Sequence, residues 1–114
     1  MVVSQGDVCW AELDEPTGSG PGFSRPVLVV QCDAINRSRI GTVVCVPLTS
    51  DTKWASAPGN VLLKSSATGL PKDSVAKVSL IVALDRSQIA ERVGKLAPRH
   101  VTAVINGIDV ILGR

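Results

Sequence analysis

Ser24-Arg25-Pro26-Val27-Leu28-Val29-Val30 is the stretch on which the fold turns. Four consecutive apolar residues, three of them valine, read as a strand buried on both faces. Pro26 suits the first residue of such a strand, where no ladder donor is required. Arg25, at the strand's mouth, is a permanent cation with five donors in a flat fork. A cation at the lip of a core strand is solvated, paired with a carboxylate, or a clamp for phosphate. The stretch by itself leaves all three open.

Upstream, Gly6 marks a turn and residues 7–13 alternate polar and apolar, which predicts a first strand. Residues 14–24 hold three glycines and two prolines and read as a long loop that delivers the chain to Arg25. Downstream, Asp33 is expected to cap a short helical turn. A third buried strand is expected over 42–46, ending at Pro47 with a polar exit through Thr49, Ser50 and Asp51. Residues 52–59 read as a loop carrying Trp54, and 60–63 as a short strand. Another polar loop spans 65–72. Strands are expected near 73–78 and 80–84, a tight turn over 85–89, and an edge strand over 91–96 protected by its charges.

The last segment changes character. Val101, Val104, Ile105, Ile108 and Leu112 recur at helical spacing, and Pro98 fits a first helical turn. Six or seven short strands followed by one helix, without βαβ alternation, argue against a parallel sheet. The expected architecture is mainly β: a small antiparallel barrel or curled sheet closed by a C-terminal helix.

With 114 residues, the chain is expected to form one domain spanning 1–114. It is 45% apolar but only 3% aromatic, so the core must be built from Val, Leu, Ile and Ala. No apolar run reaches the length of a membrane span, and the N-terminal residues lack the pattern of a signal peptide. A cytoplasmic protein without membrane attachment is expected. Cys9, Cys32 and Cys45 lack metal-ligand spacing and read as three buried, reduced thiols; no metal and no cofactor are expected. The net charge of +2 does not by itself announce nucleic acid.

Catalytic signatures built on zinc-binding histidines, glycine-rich phosphate loops or a nucleophile elbow are absent. His100 is the sole histidine and reads as a surface or packing residue. What remains is a set of polar groups at strand ends: Arg25; Thr49, Ser50 and Asp51; Lys72, Asp73 and Ser74. In a small barrel such junctions can converge on one rim. A permanent cation, hydroxyls and a carboxylate together suit a phosphodiester. The blander reading, ordinary loop residues, stands beside it.

Four blocks sharpen this: Gly6-Asp7-Val8-Cys9-Trp10, Arg25 to Val30, Pro47-Leu48-Thr49-Ser50, and Leu70-Pro71-Lys72-Asp73-Ser74-Val75. Their order and spacing resemble the MazF/PemK toxins of toxin–antitoxin pairs over nearly the whole chain. The resemblance implies a small SH3-like barrel with a C-terminal helix, working as a homodimer. It implies a metal-independent endoribonuclease cutting single-stranded RNA, with messenger, transfer and ribosomal RNA as candidate substrates. It also implies cleavage to a 2′,3′-cyclic phosphate and a 5′-hydroxyl, inhibiting translation, and silencing by a cognate MazE-like antitoxin.

Carried over residue by residue, Arg25 matches the family's catalytic arginine and Thr49 its catalytic threonine, with Ser50 as the hydroxyl neighbour. Asp73 falls near an acidic residue that some members use as an acid/base group. Pro71 stands where some members carry a second arginine, with Lys72 beside it as a substitute cation. No histidine occurs in the first loop, so the resemblance identifies no general base. Asp51, Lys53, Lys72 and Ser74 are expected to contact RNA together with Ser50, and Phe23 and Trp54 to stack on bases. Asp7 and Trp10 read as fold-defining.

Two rivals have distinct signatures. A CcdB-like gyrase poison of the same fold acts through C-terminal residues including a tryptophan, whereas this tail, 109–114, has no aromatic. An inert SH3-like module would need an aromatic groove, which one Phe, two Trp and no Tyr supply poorly.

Overall fold

The computed structural model describes residues 2–13 and 23–114. Residues 14–22 of the loop expected over 14–24 lie outside the described residues, and Ser24, expected at its end, opens a strand. Among the described residues there are seven strands: β1 (Asp7–Glu12), β2 (Ser24–Val29), β3 (Thr42–Thr49), β4 (Val61–Leu63), β5 (Ser74–Ala76), β6 (Val82–Asp85) and β7 (Ile89–Lys95). They form one antiparallel sheet in the order β4-β5-β3-β2-β1-β7, with β6 also beside β3. Three helices, α1 (Asp33–Asn36), α2 (Ser65–Thr68) and α3 (Pro98–Leu112), and three short 3₁₀ turns complete the regular structure among the described residues.

β3 curls the sheet because it changes partners along its length. One edge pairs with β2 from Val29↔Cys45 to Val27↔Pro47. The other pairs with β6 over Thr42 to Cys45 and with β5 at Leu48 and Thr49. Pro47 lies inside this strand, not at its boundary as the sequence suggested. The Pro47 carbonyl accepts from the Lys77 N–H at 3.0 Å, on the edge where β6 has ended and β5 has not begun. The missing proline N–H therefore falls at the handover, where no ladder partner waits for it.

Both faces of the curl are packed. Leu28, Val30, Val46 and Leu48 belong to one apolar cluster, closed by Val101 and Val104 of α3. Val27, Val29, Val43 and Cys45 belong to the other, with Ile89 of β7. This is why the valine-rich run of β2 shows no polar alternation: each residue faces a core. Full burial of a side chain such as Leu28 stabilises by about 1.5–3 kcal/mol. The edge position of β7 agrees with its charged sequence.

Several local expectations give way. Asp33 does not cap α1; the N-cap is Cys32, without a side-chain bond. Asp33 Oδ1 instead accepts from the Gln5 N–H at 2.7 Å, which ties α1 to the N-terminus and holds the carboxyl below the usual carboxylate range. Cys32 is exposed while Cys9 and Cys45 are buried, so only two of the three thiols are core residues. Leu112, expected in the buried stripe of α3, is exposed. The loop over 65–72 contains α2, the loop over 52–59 contains a 3₁₀ turn at Thr52–Ser56, and the strand expected to start at 80 begins at Val82 after another such turn. Asp7 is fully buried, accepting from the Ser4 N–H at 2.8 Å with Arg92 and Lys95 of β7 at 3.7 and 3.6 Å. That clasp between β1 and β7 is a fold-holding role.

Candidate active site

The start of β2, the end of β3 and the start of β5 meet at one rim because neighbouring strands run antiparallel. The registers are explicit. Ala11 pairs with Arg25, and Thr49 pairs with Val75. Continuing the β2–β3 register two residues past Val27↔Pro47 sets Arg25 opposite Thr49. Opposite residues on adjacent strands place their Cβ atoms about 4.5–5.5 Å apart. The alternate row runs through Glu12↔Ser24 and, by the same continuation, through Ser24, Ser50 and Ser74.

That serine row borders a cleft of about 330 Å³. Ser24, Arg25, Ser50, Lys72 and Ser74 give it polar groups, and Trp10, Pro26, Leu48 and Leu70 its apolar wall. Arg25 is exposed, and among the described residues its guanidinium has neither a carboxylate nor a hydrogen-bond partner. Of the three roles open to it, pairing with a described carboxylate is thus excluded. Lys72 is exposed on the opposite wall. Ser74 is nearly inaccessible, its hydroxyl donating to the Lys72 carbonyl at 3.3 Å.

The other residues singled out in the sequence surround this cleft without lining it. Thr49 stands in the row of Arg25, and its Oγ1 accepts from the Asp51 N–H at 3.2 Å. Asp51 accepts from the Lys53 N–H at 3.3 Å and pairs with the Lys53 ammonium at 3.4 Å, so it caps the 3₁₀ turn that carries Trp54. Asp73 accepts from the Ser65 N–H at 2.8 Å and faces Lys64 at 3.6 Å. Both its oxygens are turned toward α2. Phe23 is exposed with φ +56°, a conformation side chains rarely adopt. Trp54 has the Lys77 ammonium 4.6 Å from its ring centre and that of Lys53 at 5.4 Å, a cation–π arrangement.

Ser24 and the wall residues Trp10, Leu70 and Pro71 are the site members that residue types and spacing left out. Register was the signal available: three serines at Ser24, Ser50 and Ser74 fall in one row once β2, β3 and β5 are adjacent. No group of three or more potential metal-ligating side chains occurs among the described residues. No helix among them is long and apolar enough to cross a membrane.

A curled antiparallel sheet closed by one helix, with an arginine that has no carboxylate partner among the described residues beside a row of hydroxyls, defines a small β fold of the SH3-like kind. Residues 4–112 match the family described as PemK-like, MazF-like toxin of type II toxin–antitoxin system, and the chain belongs to that family. It is 42% identical over 112 residues to endoribonuclease MazF6 of Mycobacterium tuberculosis (strain ATCC 25618 / H37Rv), covering 98% of each chain. Its fold superposes on crystalline MazF of Deinococcus radiodurans with a TM-score of 0.82 and 26% identity, covering 100% of this chain and 99% of that one. A MazE–MazF crystal structure from the same organism gives 0.77 at 26% identity, covering 99% and 97%.

Proposed function

We propose that this chain is a metal-independent endoribonuclease toxin that cuts single-stranded RNA, acting as a single domain over 1–114. The observation that carries the reading is that Arg25, without a described carboxylate partner, lines one cleft with Ser24, Ser50 and Ser74. Relatives named as endoribonucleases at 42% identity support it.

In the proposed reaction the RNA 2′-hydroxyl attacks the adjacent phosphorus. The O2′–P bond forms, the P–O5′ bond breaks, the 2′-hydroxyl proton leaves to a base, and O5′ takes up a proton. The products are a 2′,3′-cyclic phosphate and a 5′-hydroxyl. Arg25 neutralises the charge that builds on the non-bridging oxygens, where a preorganised cation has its largest effect. Thr49 and Ser50 orient the phosphate beside it. Lys72 binds the strand on the opposite wall, its carbonyl held from behind by the buried Ser74 hydroxyl, and Asp51, Lys53, Trp54 and Phe23 flank it. Among the described residues the cleft lining holds no carboxylate or imidazole, so its catalytic power is electrostatic and positional.

A homodimer silenced by a MazE-like antitoxin completes the reading. The MazE–MazF complex of the Deinococcus relative supports the antitoxin. The exposed apolar end of α3, Val110, Ile111 and Leu112, offers surface to a second copy.

The test is cleavage of a long single-stranded RNA by purified protein in excess chelator, with end-group analysis of the products. Arg25→Ala is expected to lower kcat/KM at least about 100-fold, the usual scale for a lost transition-state donor, with unchanged circular dichroism. Intact RNA with the wild type, or full activity in both Arg25→Ala and Thr49→Ala, would overturn the assignment.

A further inference from the structure

A second groove, of about 460 Å³, opens across α2 from the cleft. Lys64, Lys95, Arg99 and His100 line it together with Ser66, and among the described residues no carboxylate lines it. Each of its two lysines faces a nearby acid: Lys64 stands 3.6 Å from Asp73, and Lys95 stands 3.6 Å from Asp7. Arg92 also reaches Asp7, at 3.7 Å, so that single carboxylate serves two cations. Arg99 is exposed and has no ion pair among the described residues. The groove therefore keeps a positive surplus although the chain as a whole is nearly neutral.

Its position ties it to the cleft. Ala67 lines the groove and Leu70 lines the cleft. Three Cα-to-Cα steps separate them by at most about 11 Å. Asp73, the neighbour of Lys72 in the chain, stands 3.6 Å from Lys64 of the groove, so the two sites adjoin at that ion pair. Cations spaced along a groove follow a phosphate backbone without reading its bases.

We propose that this groove is a phosphate track for the RNA strand beyond the scissile position, with Arg99 as its principal contact. The inference rests on the ribonuclease reading and adds a substrate-length preference to it. RNA long enough to reach from the cleft to Arg99 binds more tightly than RNA that fills the cleft alone, and the difference disappears at high salt.

The experiment compares wild type with Arg99→Gln and with Arg99→Gln/His100→Gln. Both positions lie on the surface of the first turn of α3, and thermal melts verify folding. The probes are two 2′-O-methyl RNA strands, which lack the attacking hydroxyl: a short one confined to the cleft and a long one. Binding is measured by fluorescence anisotropy across a salt series. For the long strand, Arg99→Gln is expected to weaken binding several-fold. It should also reduce the slope of log affinity against log salt by about 0.7, the value for one lost single-strand phosphate contact. The short strand should bind all three proteins alike.

An unchanged slope with the long strand overturns the track, and so does an equal loss with the short strand. A poly-glutamate peptide that binds wild type but not the variants, with RNA slopes unchanged, overturns it in favour of an acidic protein partner. Failure of the ribonuclease reading shows separately, as unmodified RNA left intact by the wild type.

Discussion

Asp73 Oδ1 accepts the backbone N–H of Ser65 at 2.8 Å, and this bond pins the start of α2 to the start of β5. The segment between them carries Leu70, Pro71 and Lys72, one wall of the cleft. Gly69 makes the turn possible: it ends α2 at φ +83°, and a methyl group there would meet the Val93 carbonyl of β7 at 2.5 Å. The wall is thus fixed by a carboxylate–amide bond on one side and a glycine contact on the other.

An acid/base role for Asp73 and a wall-holding role make opposite predictions for Asp73→Asn. The amide oxygen of asparagine still accepts the Ser65 N–H, so a wall-holding residue tolerates the change. The expected cost is about 1 kcal/mol of stability from the weaker bond, with kcat within a few-fold of wild type. An essential acid/base group would lose about 100-fold or more in kcat. Single-turnover cleavage alongside urea denaturation decides between them.

Gly107 of α3 packs on Gly59, close enough that a Cβ on Gly107 would run into the Gly59 carbonyl oxygen. By helix propensity alone, Gly107→Ala should stabilise a mid-helix position by about 1 kcal/mol. Here the methyl has backbone on its far side, which cannot move aside as a flexible side chain would. Gly107→Ala is therefore expected to destabilise, with a lowered Tm, whereas Gly113→Ala meets no neighbouring atom and pays only for its left-handed φ of +74°. A Tm for Gly107→Ala equal to or above wild type would refute the contact.

The parts of the molecule legible in sequence are those where periodicity and composition speak directly. The valine run of β2 required two buried faces and has them. The stripe Val101, Val104, Ile105, Ile108 required one buried helix face, and these residues pack on the sheet. Pro47 misled because a proline normally ends a strand; only the handover of β3 from β6 to β5 makes room for it, and that is a tertiary event. Asp33 misled because its long-range bond to Gln5 outcompetes local capping. In the candidate site, Arg25 and the Thr49-Ser50 pair stood out by residue type and family blocks. Ser24 did not, because its place depends on which strands are neighbours, and no single stretch records that.

The cysteines give a simple chemical readout. Burial pushes the Cys9 thiol up to about 11, assisted by the charge of Asp7 and opposed by Arg92. Burial, with Cys9 beside it, pushes Cys45 up to about 12. Cys32 is exposed. Iodoacetamide at pH 8 should modify Cys32 alone in the native protein and all three cysteines after denaturation, as read by mass spectrometry. The sign of the linked stability follows: between the unfolded thiol value of 9.0 and the folded values, the folded state binds more protons. Stability is fully present below pH 9 and falls as pH rises through that window. Cys45→Ala should flatten the alkaline arm of the stability profile.

Trp54 separates substrate binding from chemistry. Its indole is partly exposed on the 3₁₀ turn after β3, with Lys77 and Lys53 flanking the ring. The turn is held independently of the indole, by the Asp51 cap and by the Asn60 side chain donating to the Trp54 carbonyl at 3.0 Å. Removing the ring should therefore leave the backbone in place. A stacked base contributes about 1–3 kcal/mol, so Trp54→Ala is expected to raise KM for RNA roughly 5- to 150-fold. It should change kcat little, because the ring does not border the Arg25 cleft. Trp54→Phe keeps an aromatic face and should recover most of the loss. Equal KM values for wild type and Trp54→Ala would confine the indole to packing against its two lysines.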